Sequence, residues 1–285
     1  MPSAPLAPFR PAATLLAAYL VATLPLAVRG GAGAGLLAGL AALLAAAAWT
    51  LRRASPQRGA TRALAAWLPL LAVPACYAAL PLVAAGLGRT ALHDARVIAW
   101  ETALFGTSPT LALSARWPVP ALSELLHAGY LSYYAVIYVP PAWLWWRGRR
   151  DAFAVATWTV WLAFVVCYAV FATLPVQGPW YQWPAPATVP DGPARALVQA
   201  LLHAGSSRGT AFPSSHVAVS VAQTLALARV APRMAVATGA ATLLLAAGAV
   251  YGGFHYAVDV VAGAALGAAI GALGPQVHAR LTRAT

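Results

Sequence analysis

The 285-residue chain has no lysine, only six acidic residues and only two cysteines. Charged residues make up 8% of it, against about 25% in soluble globular domains. So little charge excludes a soluble globular domain and a disordered chain. Cys76 and Cys167 both lie inside apolar runs. They read as buried thiols, without a disulfide framework or metal-ligand spacing. What the chain does have is 61% hydrophobic residues, a mean hydropathy of +0.72 and 18 arginines. That composition leaves an all-α, polytopic transmembrane helix bundle. The net charge of +12 does not argue for nucleic acid as a partner. Most arginines stand in short clusters between apolar runs, the pattern of membrane topology signals. Abundant Arg, Ala, Gly and Pro without Lys point to a GC-rich bacterial genome, hence to an inner (cytoplasmic) membrane.

Eight apolar runs can be marked, at 12–28, 33–51, 63–86, 123–146, 152–174, 211–228, 234–251 and 256–274. Each approaches the length that spans a bilayer. Twelve arginines fall at one side of these runs: Arg10, the linker Arg52 to Arg62, Arg147 to Arg150, Arg229, Arg233, Arg280 and Arg283. Arg29, Arg89, Arg96, Arg116, Arg195 and Arg208 fall on the other side, over far longer loops. The alternation predicts cytoplasmic termini and outward-facing loops at 87–122 and 175–210. The first run reads as a retained helix rather than a signal peptide, since no small-x-small site ends it. Trp100, Phe105 and Trp117 in the first long loop, and Trp180, Tyr181 and Trp183 in the second, suit an interfacial belt or a lid over a site.

Ionisable groups near a membrane core are functional candidates, because burying them is costly. His216, His255 and Asp259 come from separate runs yet share one membrane face. In Phe212-Pro213-Ser214-Ser215-His216, proline suits a first helical position and the serines open the helix. The free N–H groups there, the helix dipole and two hydroxyls make an anion cradle fit for phosphate. His255 and Asp259 are four apart, which places them on one helical face. The carboxylate would then fix the imidazole's tautomer and leave Nε2 as nucleophile or base. Gly263, Gly267 and Gly271 continue that row and would seat a neighbouring helix closely. Gly205-Ser-Ser207-Arg-Gly209 matches a nucleophile elbow by chance, because no strand precedes it. His93-Asp94 and His127 read as structural, His203 as a loop residue and His278 as cytoplasmic.

At these residues the sequence resembles the type 2 phosphatidic acid phosphatase superfamily. Pro213-Ser214-Ser215-His216 is similar to its Pro-Ser-Gly-His motif. His255 and Asp259 fit its third motif, Ser-Arg, five residues, His, three residues, Asp. Trp100 to Pro109, Tyr130-Leu-Ser-Tyr-Tyr134 and Pro175-Val-Gln-Gly-Pro179 resemble the branch holding inositol phosphorylceramide synthases and bacterial relatives. The resemblance covers roughly 90–272. It implies a six-helix phosphatase-like core at 63–275, two extra helices and a basic linker at 1–62, and a short tail at 276–285. It also implies a lipid phosphate substrate drawn from the membrane lipids, with water or an alcohol as acceptor, and no metal or other cofactor. His255 would be the nucleophile, Asp259 its orienting partner and His216 the acid and base. Ser214 and Ser215 would hold phosphate oxygens.

The chain departs from that pattern at its cations. The superfamily's first motif, with Lys and Arg-Pro, is absent, and Gly248-Ala249 stands at the Ser-Arg positions. Trp180 follows Gly178-Pro179 where the related branch often has Arg. Arg208 is the expected substitute, with Arg96, Arg116 and Arg195 as reserves. A degenerate relative that binds or moves lipid without hydrolysis is the alternative. No oligomeric state follows from the sequence.

Overall fold

The computed structural model describes residues 7–52, 59–183 and 189–283. Arg53 and Arg58 of the basic linker, and Pro184 and Pro186 of the second long loop, lie outside these. Among the described residues the architecture is all-helical, with no named strand. A 3-10 turn (Ala7–Phe9) leads into α1 (Arg10–Arg29), α2 (Ala34–Arg52) and α3 (Gly59–Gly86). Then come α4 (Asp94–Phe105), α5 (Pro109–Arg116), α6 (Pro120–Trp146) and α7 (Arg150–Thr173). Next are α8 (Pro179–Gln182), α9 (Pro193–Gly205), α10 (Ser215–Ala228), α11 (Pro232–Tyr251) and α12 (Ala257–Arg283).

Each of the eight apolar runs holds one helix, seven of them long and the one in 211–228 shorter. Six helices are long and apolar enough to cross a membrane: α1 with its leading turn, α2, α3, α7, α11 and α12. The chain is thus a multi-pass helical bundle. The remaining two differ in kind. α6 has 27 residues, but Glu124, His127 and four tyrosines interrupt its apolar surface. α10 has 14 residues, about 21 Å at 1.5 Å per residue, short of a bilayer core of about 30 Å. The run expected from 211 becomes helical only at Ser215, because residues 206–214 are drawn across the bundle end. There Val176 donates to the Gly209 carbonyl and Ala211 donates to the Val176 carbonyl at 2.8 Å.

The two long loops are not simple connections. The first folds into α4 and α5, the second into α8 and α9. Their turns close over the same bundle end as the α10 start. The His93 N–H donates to the Pro175 carbonyl at 2.9 Å, and the Tyr251 hydroxyl to the Trp117 carbonyl at 2.9 Å.

At the opposite end the arginine-bearing turns meet. Arg10 donates to the Leu51 carbonyl, Arg149 to Val230 and Arg229 to Ala272. Arg150 lies 3.5 Å above the Trp145 ring, within an apolar cluster of Phe9, Leu144 and Phe153. Between the ends, Leu16 and Leu20 of α1 pack with Trp161, Phe164 and Tyr168 of α7 and Ala218 and Val219 of α10. All seven are essentially without solvent exposure. α1 is thereby part of the main core.

Candidate functional site

The site forms where α10 and α12 begin. Ser214 is the N-cap of α10, its hydroxyl accepting from the Val217 N–H at 3.4 Å. Ser215 is the first helical residue, so Pro213 stands one place before the cap rather than at the first helical position. The correction follows from side-chain chemistry: a serine oxygen can accept the exposed first-turn N–H, and proline has no such group. The Ser214 N–H donates to the Asp259 main-chain carbonyl at 2.9 Å, which ties the two helix starts together.

His255 lies two residues before α12, outside the helix. Its contact with Asp259 therefore does not come from a shared helical face. The Asp259 carboxylate reaches back to accept the Tyr256 N–H at 2.9 Å, the return arm of a capping box. The same oxygen, Oδ2, meets His255 Nδ1 at 3.4 Å. An ionised carboxylate can only accept, so Nδ1 carries the proton and Nε2 is left bare. Both residues are buried.

The histidine rings of positions 216 and 255 stand 5.6 Å apart, centroid to centroid. The glycine row holds this geometry from below. A Cβ at Gly263 would sit 2.5 Å from the Ser214 carbonyl oxygen, and one at Gly267 would strike the Ala218 carbonyl. Only hydrogen at these positions lets α12 lie against α10 backbone to backbone.

Two buried carboxylates brace the same end. Asp94 accepts from the Gly178 N–H at 2.9 Å, the Gln177 N–H at 3.1 Å and the Tyr256 hydroxyl at 3.0 Å. Burial and the Asp94 charge raise the Tyr256 hydroxyl far above an ordinary phenol, so it stays a donor. Glu101 accepts from Ser108 at 2.8 Å and from the Val258 N–H at 3.3 Å, in the first turn of α12. Thr110 donates to the His255 carbonyl at 3.1 Å. The first long loop thus reaches the site through Asp94, Glu101 and Thr110. Sequence alone reads Asp94 as structural, carries Glu101 only within the Trp100 to Pro109 likeness, and gives no signal for Thr110.

His216 and His255 line a cavity of about 540 Å³ bounded by α3, α6, α7, α8 and α9. Seven of the chain's ten tyrosines line it, and none of its lining residues is arginine or lysine. Ser215 lines it too. Trp180 and Tyr181, expected in an interfacial belt or lid, form part of its wall. Trp180 packs against Phe254 and against His203, which belongs to α9 rather than to a loop. The nearby arginines stand outside its lining. Arg208 sits 5.1 Å from the Tyr181 ring and lines a separate hollow of about 250 Å³ with Arg89. Arg195 is bonded to the Val189 carbonyl and to Asp191. Arg96 and Arg116 are exposed. Position 249, an arginine in the resembled motif, is a fully buried alanine packed with Tyr130 and Phe254.

His127 is structural: its Nδ1 meets the Ser123 carbonyl at 2.7 Å. His278 Nε2 meets the Pro8 carbonyl at 2.9 Å, at the arginine-rich end. The tyrosine wall was missed. Its signal in the sequence was four tyrosines at 130, 133, 134 and 138, too many for a lipid-facing helix.

Fold and site together define a multi-pass helical membrane protein with two histidines and a carboxylate set at adjoining helix starts. The chain belongs to the PAP2 superfamily, whose family profile matches residues 95–273. Comparison with curated proteins and with solved structures gives no match. Superfamily membership supports a phosphatase-type activity on lipid phosphates.

Proposed function

We propose that this protein cleaves a lipid phosphate ester by histidine chemistry, as a phosphatase or phosphotransferase. The observation that carries the reading is the pair of histidine rings 5.6 Å apart on one cavity, with Asp259 behind His255. His255 Nε2 attacks phosphorus as the ester P–O bond breaks, and a P–N bond forms. Asp259 keeps the proton on Nδ1 and stabilises the ring as it gains charge. His216 gives a proton to the departing oxygen. It then takes one from water or an acceptor alcohol, which attacks phosphorus and releases His255. Ser215 and the first-turn N–H groups of α10 hold the phosphoryl oxygens, with Ser214 capping the helix behind them. Arg208, above Tyr181 beside the cavity, draws the anionic headgroup in.

The arginine distribution supports an outward-facing cavity and cytoplasmic termini. The helices within 1–62 are an addition to a six-helix catalytic unit spanning 63–275, with α1 packed into its hydrophobic core. The likenesses at 100–109, 130–134 and 175–179 support kinship with the branch that holds inositol phosphorylceramide synthases and bacterial relatives, and the acceptor is water or an alcohol. A second reading, lipid binding without hydrolysis, is favoured by the absence of any arginine or lysine from the cavity lining.

The test is phosphate release by detergent-purified protein from a panel of lipid phosphates, with EDTA and with inositol as an added acceptor. Release or transfer that persists in EDTA, and falls at least about 10³-fold in His255→Ala, supports the enzyme. Binding of a lipid phosphate without release or transfer overturns it in favour of the second reading.

A further inference from the structure

His255 has Asp259 to orient it. His216 needs an equivalent, because an acid and base must present one nitrogen to the substrate and keep the other engaged. The structure supplies a phenol. The Tyr130 hydroxyl of α6 lies 3.4 Å from His216 Nε2. Its ring is held between His216, at 5.1 Å, and Phe254, at 4.6 Å. His216 Nδ1 is buried and makes no hydrogen bond among the described residues. The imidazole thus has one nitrogen held and one without a protein partner.

Tyr130 reaches this place because α6 and α11 touch backbone to backbone. A Cβ at Gly129 would lie 2.8 Å from the Leu244 side chain and 2.9 Å from its carbonyl oxygen. A Cβ at Gly248 would strike the Leu126 carbonyl and lie 3.4 Å from the Tyr130 N–H. Hydrogen at both positions lowers Tyr130 onto the buried Ala249 and Phe254. Larger side chains at 248 and 249 would lift it away from His216. Tyr133 provides an internal contrast. Its ring is closer to His216, at 4.2 Å, yet no hydrogen bond joins them.

We infer that Tyr130 is the positioning residue of His216, its oxygen accepting from Nε2–H so that Nδ1 gives and takes the proton. The phenol oxygen accepts equally from the neutral ring and from the imidazolium. Nδ1–H passes its proton to the departing oxygen, and the bare Nδ1 then takes one from water or alcohol. Nε2–H stays on Tyr130 throughout. The inference rests on the acid–base role proposed for His216.

The experiment compares Tyr130→Phe with Tyr133→Phe, each of which keeps its ring. Nitrogen-15 spectra of histidine-labelled protein in detergent, assigned with His216→Gln, report the His216 tautomer without any substrate. The expected result is a single Nε2–H tautomer in the parent and in Tyr133→Phe, and a mixture in Tyr130→Phe. With the best lipid phosphate, kcat should fall about tenfold or more in Tyr130→Phe with KM within about twofold, and change less than about twofold in Tyr133→Phe. A parent-like tautomer in Tyr130→Phe, or an equal kcat loss in both variants, overturns the inference. A tautomer change in a protein that turns over no lipid phosphate supports the positioning contact and removes the reaction instead.

Discussion

The two ends of this bundle use opposite charges for the same purpose. At one end guanidinium groups satisfy main-chain carbonyls: Arg10 on Leu51, Arg149 on Val230, Arg150 on Trp145 and Arg229 on Ala272. At the other end carboxylates satisfy main-chain N–H groups. Asp94 serves Gln177 and Gly178, Glu101 serves Val258, Glu124 serves Ala194 and Asp259 serves Tyr256. Because the helices run both ways, each end of the bundle exposes orphan N–H groups of helix starts and orphan carbonyls of helix ends. Those orphans are costly to leave in a membrane protein, and the charges at each end serve the kind they can pair with: arginines the carbonyls, carboxylates the N–H groups. Among the described residues the one arginine–carboxylate ion pair is Arg195–Asp191. A chain of net charge +12 therefore builds a cavity without a lysine or arginine in its lining.

The contrast can be broken by substitutions at each end. The largest effect is expected at Asp94, where Asp94→Ala strands the buried Gly178 N–H and the Tyr256 hydroxyl. Each orphaned group costs about 1–3 kcal/mol, so thermal unfolding in detergent should show a clear loss of stability, with turnover falling alongside. An unchanged melting temperature would mean that water replaces the carboxylate and that the end is less tightly braced.

Arg208 sharpens the question of cations. As a headgroup-attracting residue beside the cavity it predicts a several-fold rise in KM for Arg208→Ala with kcat within about twofold. A kcat loss of about a hundredfold would make it a transition-state clamp that swings inward from Tyr181. The smallest effect belongs to the exposed contact of Arg149 with Val230. Arg149→Ala should change stability by no more than about 0.5 kcal/mol and leave turnover alone. A larger shift would show that the arginine-rich end braces the fold as strongly as the carboxylates do.

Much of this is legible in the sequence. Hydropathy marks eight runs, and each holds a helix, α10 being the short one. The pairing of His216 with His255 and Asp259 needed only the alternation of arginine clusters, which put them at one end. The glycine row at 263, 267 and 271 faces α10, as its small side chains suggested. Other features were out of reach for stated reasons. Pro213 and the late start of α10 depend on hydrogen bonds to residues 176 and 259, far away in sequence. The His255–Asp259 contact looked like a helical face and is a capping arrangement, because spacing alone cannot tell a helix interior from its first turn. Arg208 looked close to the site in sequence, yet its side chain turns to Tyr181.

Sequence alone therefore determined the class of solvent, the helical architecture, the family and the end of the bundle at which His216, His255 and Asp259 meet. Each of these follows from composition, from spacing along one strand of chain, or from an ordered motif. Tertiary structure alone decided what surrounds the histidines. Tyr130 reaches His216 only because Gly129 and Gly248 allow two helices to touch, and no arginine lines the cavity although Arg208 lies over Tyr181 of its wall. Such placements depend on which distant groups meet, and a hydrogen bond or a backbone contact between distant segments leaves no period in the sequence to read.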